Sequence, residues 1–450
     1  MELLYNLLPF LGNEFNGNIS ILQEMIKGTY SISSGGITMK NISRWTGTGG
    51  SYRSIQRLML SPINWLCLNL SLFYVWLSDQ SIVLNEENFI LAVDEVVEPK
   101  SRNKTDGIGF FYSTIFGKQT RSICRQAISI VDVKNRKSFI LEEDKQKSIV
   151  RKKKGKKTKT KQKPKRKVGR PANSVSKLMT IEWYPIYISL DNMLKSSMLE
   201  LNKKGNIRYL VADGKYANKN GILVARRNSL ELISKAQKRT AFYFPAQQAK
   251  KKQGAPKKYG KKLQRLTKKY RVKAYKDERG LLTEIFHYPQ MWNKKIGVKL
   301  NVVIIIKTKK NGEKARVVLI TSCPKLSAEQ IIDFYSLRFQ IEFNFRDAKQ
   351  YFGLADFKNT KEISVKNAVN FSFFMTNLSA VLANRAKKEY ECEQFGIQDL
   401  KALFRGYSYL QLFLNYTDKT EEQILNKEQK ERFLGLGSIN WMPTKRKKAS

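Results

Sequence analysis

Histidine and cysteine are scarce in this 450-residue chain. There is one histidine, His287, and there are four cysteines, Cys67, Cys124, Cys323 and Cys392, far apart and without CxxC spacing. That excludes His-rich zinc sites and argues against a structural zinc. Isolated thiols read as reduced cysteines, not as a disulfide framework. A lone histidine is more often a surface or satisfied core residue than a catalytic base. Long apolar runs are missing too. The longest, Ile63 to Leu77, is interrupted by Asn64, Asn69 and Ser71 and is too short to span a bilayer. It reads as a buried helix. Met1 to Leu11 is apolar but has neither a basic start nor a small-residue cleavage site, so no signal peptide is expected, and nothing points to a membrane. Acids are few: 38 Asp and Glu against 83 Lys and Arg, a net charge of +45. Such an excess favours a polyanionic partner, most simply nucleic acid. A basic pI alone would also suit a ribosomal protein or a membrane-surface binder. The 42% hydrophobic content argues against general disorder, and the length allows two or three domains.

Residues 1–86 read as helical. Two short amphipathic segments flank Gly47, Gly49 and Gly50, and the second, opening at Ser51, turns Arg53, Gln56 and Arg57 outward against Ile55, Leu58 and Met59. The pattern is that of a helix-turn-helix with Arg53, Gln56 and Arg57 on the recognition helix; a plain helical hairpin would read the same. From Phe89 the pattern turns to strands: FILAVDEVV, QAISIVDV and KSFILEE, then a helix at Leu190 to Leu201 and a strand, IRYLVADGKY, ending in Asp213-Gly214. This predicts a mixed α/β sheet over 87–245 with ligand chemistry at strand ends. A basic loop, 145–177, interrupts it. Its stretch 151–170 has no acid and only Val168 as an apolar side chain, so it reads as a solvated, phosphate-tracking arm. Gly169-Arg170-Pro171 resembles the core of a minor-groove AT-hook, with Val168 where a basic residue is usual. Residues 246–325 predict a β-rich subdomain, 326–360 a helix, and 361–450 a helical C-terminal region.

The helix at 326–360 carries the most specific pattern. Ser327 and Gln330 make a capping box and Gly353 suits the exit. At about 100° per residue, Tyr335, Arg338, Glu342, Arg346 and Lys349 share one stripe. Asp333, Ser336, Gln340, Asn344 and Asp347 form the expected solvated face. Apolar walls lie between: Ile332, Phe339 and Phe343 on one side, Phe334, Ile341, Phe345 and Phe352 on the other. A charged seam between apolar walls is costly unless something pairs with it. Two further acids have unusual settings, Asp94 within an apolar strand and Asp213 at the end of another. Glu95 and Glu98 rival Asp94, although alternation puts Glu95 on the opposite face.

The spacing Tyr335, two residues, Arg338, three residues, Glu342, six residues, Lys349 resembles the signature of the insertion-sequence-four group of DDE transposases. The likeness covers about residues 88–380. It implies a ribonuclease-H-like core with a β-rich insertion between the second and third acids; the helical N-terminal DNA-binding domain is read from the helix-turn-helix pattern and lies outside the likeness. The likeness implies catalysis by Asp94, Asp213 and Glu342 holding two Mg2+ ions, with Mn2+ able to substitute, and all three offer the oxygen donors such ions require. It assigns Tyr335, Arg338 and Lys349 to the DNA phosphates; Arg346 lies outside the signature and, from its place on the same stripe, is a candidate helper. The likeness makes Trp292, the one Trp of the insertion, a candidate for stacking on a flipped base, against the alternative of a buried anchor. The implied partners are double-stranded DNA, as terminal inverted repeats and target, and a second copy in a synaptic homodimer. The implied location is the cytoplasm of a bacterium, at the nucleoid. The alternatives are a catalytically inactive, transposase-derived DNA-binding protein or repressor, and a simple metal-dependent nuclease.

Overall fold

The structure, a computed structural model, describes residues 8–12, 15, 17–46, 52–101, 104–113, 116–147, 185–237, 239–246, 257–276, 278, 280–417 and 420–440. The Gly47–Ser51 turn, the arm at 151–170 with its Gly169-Arg170-Pro171 motif, and the tail KRKKAS lie outside them.

Five helices come first: α1 (Leu8–Gly12), α2 (Ile19–Ser31), α3 (Met39–Trp45), α4 (Tyr52–Leu60) and α5 (Trp65–Gln80). Four strands follow: β1 (Phe89–Pro99), β2 (Gly109–Ser113), β3 (Lys118–Asp132) and β4 (Lys137–Lys145). Next are α6 (Pro185–Leu201), β5 (Tyr209–Ala212), α7 (Lys219–Arg227) and β6 (Glu231–Lys235). In the sheet β1 pairs antiparallel with β3 and β3 antiparallel with β4, while β5 runs parallel to β1 and β6 parallel to β5. The order β4-β3-β1-β5-β6, with those senses, is consistent with a ribonuclease-H-like core. Parallel strands covered on both faces need continuous apolar runs, and β1 opens with one: Phe89 to Val93 are all fully buried.

The β-rich segment does not stand apart. It contains β7 (Tyr243–Pro245), β8 (Tyr259–Lys262), β9 (Arg271–Lys276), β10 (Leu282–Trp292), β11 (Lys299–Thr308) and β12 (Lys314–Thr321). β12 pairs with β6, and the sheet continues through β11, β10, β7 and β8 to give twelve strands in all. The remaining helices are α8 (Ala328–Leu337), α9 (Phe339–Tyr351), α10 (Glu362–Glu389), α11 (Ile397–Leu414), α12 (Glu421–Ile424) and α13 (Lys427–Leu434).

One sheet face takes α8 and α9. Ile90, Ala92, Val211 and Ile233 pack with Ile331, Phe334 and Leu337, and Val96, Ile123 and Ala127 pack with Ile341, Phe345 and Ala348. The other face takes α5 and α6, through Phe73, Trp76, Leu190 and Leu194 against Leu91, Val93 and Leu210. Each fully buried Val, Leu, Ile or Phe among them contributes about 1.5–3 kcal/mol. α10 is buried along most of its length, and polar side chains tie it to its neighbours. Asn377 Nδ2 donates to Ile140 O (2.7 Å) and to Asn69 Oδ1 (2.9 Å), and Asn377 Oδ1 accepts from Ile140 N (3.0 Å). Trp65 Nε1 donates to Asn367 Oδ1 at 2.9 Å, and Tyr30 and Ser379 hydroxyls meet at 2.7 Å. Helices α1 to α5 therefore share one core with the sheet and α10. Within it α4 turns Arg53, Gln56 and Arg57 outward and buries Ile55, Leu58 and Met59. The run from Ile63 becomes α5, mostly buried. Among the described residues no single helix is long and apolar enough to cross a membrane.

Candidate active site

The helix expected over 327–353 forms, but in two pieces. Ser327 and Gln330 make the capping box, and Gly353 leaves with φ +78°, where a Cβ would come within 2.6 Å of Ile37 Cβ. The break falls at Arg338. Its N–H bonds to Tyr335 O (3.2 Å), and Ile341 N–H bonds to Arg338 O (3.4 Å), two i→i−3 contacts that tighten the chain between α8 and α9.

Arg338 is buried and its guanidinium joins two of the acids. Nη1 donates to Asp94 Oδ2 at 2.5 Å and Nη2 to Glu342 Oε1 at 2.6 Å. Asp94 lies on β1, 19% exposed at its side chain, with Glu95 N–H on its other oxygen at 2.8 Å. Glu342 is more open, at 43%. Asp213 enters from the neighbouring strand. Val93 of β1 stands beside Ala212 of β5 in parallel register, so Asp94 on β1 and Asp213, the residue just past the end of β5, are the next residues along the two chains. Tyr209 and Val211 face α8, and alternation turns Asp213 to that same face. Its backbone carbonyl accepts from Ser234 Oγ at 2.9 Å.

The electrostatics draw the same centre. Burial is the main cause that pushes Asp94 up to about 6; Arg338 and the Glu95 N–H pull it down, and the charges of Glu342 and Asp213 push it up. Asp94 thus feels both other acids. Burial also raises Tyr335, whose hydroxyl is pulled down by Arg338 and raised by Asp213 and Asp94. Tyr335, Arg338, Asp94, Asp213 and Glu342 form one cluster.

Other expected residues take different places. Lys349 Nζ pairs with Glu98 Oε2 (2.8 Å) and donates to Val97 O (3.0 Å), so it braces α9 against β1. Glu98 is thereby accounted for. Glu95, on the opposite face, pairs with Lys215 and accepts from the Tyr216 hydroxyl at 3.0 Å. Arg346 is exposed and pairs with Asp347 at 3.0 Å. Trp292 is half-buried on β10, edge to face with Tyr259 at 5.6 Å between ring centroids. β10 lies five strands from β1, about 24 Å at the usual inter-strand spacing, so Trp292 does not join the acids within this chain. His287, on the same strand, is far from them as well; burial holds it below its ordinary value. The two faces expected of α8 and α9 also need correction. Asn344, expected in solvent, is buried and donates to Ser138 O (3.1 Å) and Oγ (3.0 Å). Phe339 and Phe343, expected as a buried wall, are 49% and 45% exposed. The reason is that the sheet takes only the Ile341, Phe345 and Ala348 side of α9.

Residues 30–285 match the family described as DDE superfamily endonuclease, more than half of the chain. The chain belongs to the DDE superfamily endonucleases. It is therefore a nuclease- or transposase-type enzyme, its family implies DNA as substrate, and DDE superfamily nucleases generally use divalent metals such as Mg2+. The matched span of this DDE endonuclease includes Asp94 and Asp213 and ends before α8, so Glu342 rests on the spacing of the helix signature and on its shared contact with Arg338. No curated protein matches the chain significantly.

Whether the residues present suit a metal can be asked of the donors. Among the described residues no three His, Cys, Asp or Glu side chains are grouped to hold an ion as they stand. The space between Asp94 and Glu342 is taken by the Arg338 guanidinium, itself a cation bound by two carboxylates. Arg338 Nε is buried without a hydrogen-bond partner, so this side chain is not fully satisfied where it sits. An all-carboxylate set with a resident cation has the donor chemistry of a hard-ion site.

Proposed function

We propose that this DDE endonuclease is a transposase of the insertion-sequence-four type, which binds the ends of its element, cuts them and joins them to target DNA. One observation carries the reading: Asp94 and Glu342, remote in sequence, share one guanidinium, and Asp213 ends the adjacent parallel strand. Asp94, Asp213 and Glu342 would hold two Mg2+ ions, with Mn2+ as substitute. When bound, such ions activate water or a 3′-hydroxyl and stabilise the departing 3′-oxygen.

The chain's own groups bind and orient. Arg338, a planar fork at the centre of the acids, suits bidentate capture of the scissile phosphate, and Tyr335 lies beside it to hold that phosphate in line. Arg346, 62% exposed, reaches for a neighbouring phosphate. Lys349 acts on the alignment of α9 with β1 through Glu98, in place of the phosphate contact that the signature suggested. Arg53, Gln56 and Arg57 on α4 present an exposed face to an element end. A second copy of the chain completes a synaptic pair.

The test uses a supercoiled plasmid carrying the DNA that flanks this chain's own coding sequence. Nicking or excision with Mg2+ or Mn2+, and joining of the released ends, are expected. Binding of that DNA with no metal-dependent cleavage would leave a transposase-derived repressor, and cleavage without joining a simple nuclease.

A further inference from the structure

The ladder between β1 and β5 ends at Val93 and Ala212, so Asp213 lies just past its last pair and needs another support. The backbone there makes a tight turn, Gly214–Tyr216, in which Tyr216 N–H donates to Asp213 O at 2.9 Å. The turn is pressed on β6: a Cβ at Gly214 would come within 2.8 Å of Lys235 O. The Asp213 carboxylate does not cap this turn. Tyr216 is 1% exposed, and its side chain reaches two strands. Its hydroxyl donates to Glu95 Oε1 on β1 at 3.0 Å and accepts from Gln126 Nε2 on β3 at 2.5 Å. Glu95 and Gln126 stand opposite each other in the antiparallel register, and Lys215 of the same turn also pairs with Glu95. Gln126 is fully buried and accepts in turn from Gln146 Nε2 at 3.0 Å. Glu95 closes the path, because its N–H donates to the Asp94 carboxylate at 2.8 Å. One hydrogen-bonded path therefore runs from the Asp94 carboxylate through Glu95 and the Tyr216 hydroxyl to the Asp213 carbonyl, on the sheet face away from the acids.

We propose that Tyr216 is a positioning residue: its hydroxyl, held by Glu95 and Gln126, sets where Asp213 stands relative to Asp94, and so how well the two can share a divalent cation. The inference rests on the transposase reading and adds a residue outside the three acids and the helix signature. A buried hydroxyl with one donor and one acceptor partner has a single satisfied geometry, and losing it leaves Gln126 Nε2 without its acceptor. Side chains that orient metal-binding groups from behind typically change metal affinity or activity by roughly 10–100-fold when removed. The tyrosine ring packs in the core whether or not the hydroxyl is there, so the two contributions can be separated.

The experiment compares the parent chain with Y216F, which keeps the ring and its edge-to-face contact with Tyr187 at 6.0 Å. Electron paramagnetic resonance of Mn2+ with the full chain and no DNA counts the ions that the parent binds and D94N does not. Y216F should bind these about tenfold more weakly or worse. Y30F removes an equally buried hydroxyl, one that ties α2 to Ser379 of α10, and should keep Mn2+ affinity within about twofold. E95A reads the same link from β1. Adding Y216F to E95A should weaken binding by less than about twofold further, because both act through one path. In the plasmid assay the Mg2+ concentration for half-maximal nicking should rise about tenfold in Y216F, while DNA affinity in EDTA stays within about twofold. Equal Mn2+ affinities in Y216F and the parent, the same loss in Y30F, or losses in Y216F and E95A that multiply would overturn the proposal. Mn2+ binding is read without DNA and without cleavage. Failure here is therefore distinct from failure of the transposase reading, which the plasmid assay of the parent chain reports.

Discussion

Replacing Arg338 with alanine tests the centre most directly. Deleting one partner of a buried ion pair costs about 3–5 kcal/mol. The Asp94 side chain is 19% exposed and that of Arg338 9%, which puts this pair at the lower end, about 3 kcal/mol. Glu342 is 43% exposed, and screening by solvent leaves its share small. The cost depends on pH, and its sign follows from Asp94. Its carboxyl is raised from 3.8 to about 6, mainly by burial, so protonation favours the fold. That contribution is complete below about pH 3.8 and is lost as pH rises through about 6. Arg338 offsets the charge that remains above pH 6. R338A should therefore be nearly neutral at pH 5 and destabilised by about 3 kcal/mol at pH 8. For a chain of this length roughly 1 °C corresponds to each kcal/mol, so the midpoint should fall by about 3 °C at pH 8. A divalent cation should then take over the role of the lost guanidinium. At 10 mM Mg2+ and a dissociation constant of about 1 mM, binding returns about 1.4 kcal/mol, and the rise should be larger in R338A than in the parent chain. Differential scanning fluorimetry at both pH values, with and without Mg2+, reads all of this. Equal losses at pH 5 and pH 8 with no response to Mg2+ would refute the reasoning.

D94N, D213N and E342Q should each fold and bind DNA, yet lose metal-dependent nicking by about 1,000-fold or more, since a bound ion supplies several kcal/mol of transition-state stabilisation; a gel assay of plasmid nicking checks it. N377L leaves the Ile140 N–H and C=O and the Asn69 Oδ1 without the partner Asn377 gives them in the core and should cost about 3–5 kcal/mol, seen as a fall of a few degrees in thermal midpoint. R53A/R57A should leave that midpoint unchanged and make the plot of log affinity against log salt shallower by about 2 if both side chains meet phosphate; an unchanged slope would remove α4 from the DNA interface.

The residues that were legible are those whose constraints are local. A capping box and a glycine exit mark 327 and 353 because the unpaired N–H groups of a first turn and a left-handed exit have few solutions, and both are seen. Alternating and continuous apolar runs marked β1, β3, β4, β5 and the strands from β9 to β12. The short β2, β6, β7 and β8, three to five residues each, have too few positions to show a period. What could not be read was which apolar residues would find a neighbour. Ile341 and Phe343 look alike in a helical wheel. Only the placement of β1 and β3 buries the first and leaves the second in solvent. The same holds for charge: Arg338 and Lys349 both sit on the seam, but Lys349 lies where β1 presents Glu98, and Arg338 where β1 presents Asp94. The helix spacing identified the seam, and the strand register decided which cation meets which acid. A centre of this kind can therefore keep its helix signature while a single-residue slip of β1 destroys it, because a slip would turn Asp94 to the face of Glu95 and leave Arg338 buried against an apolar strand.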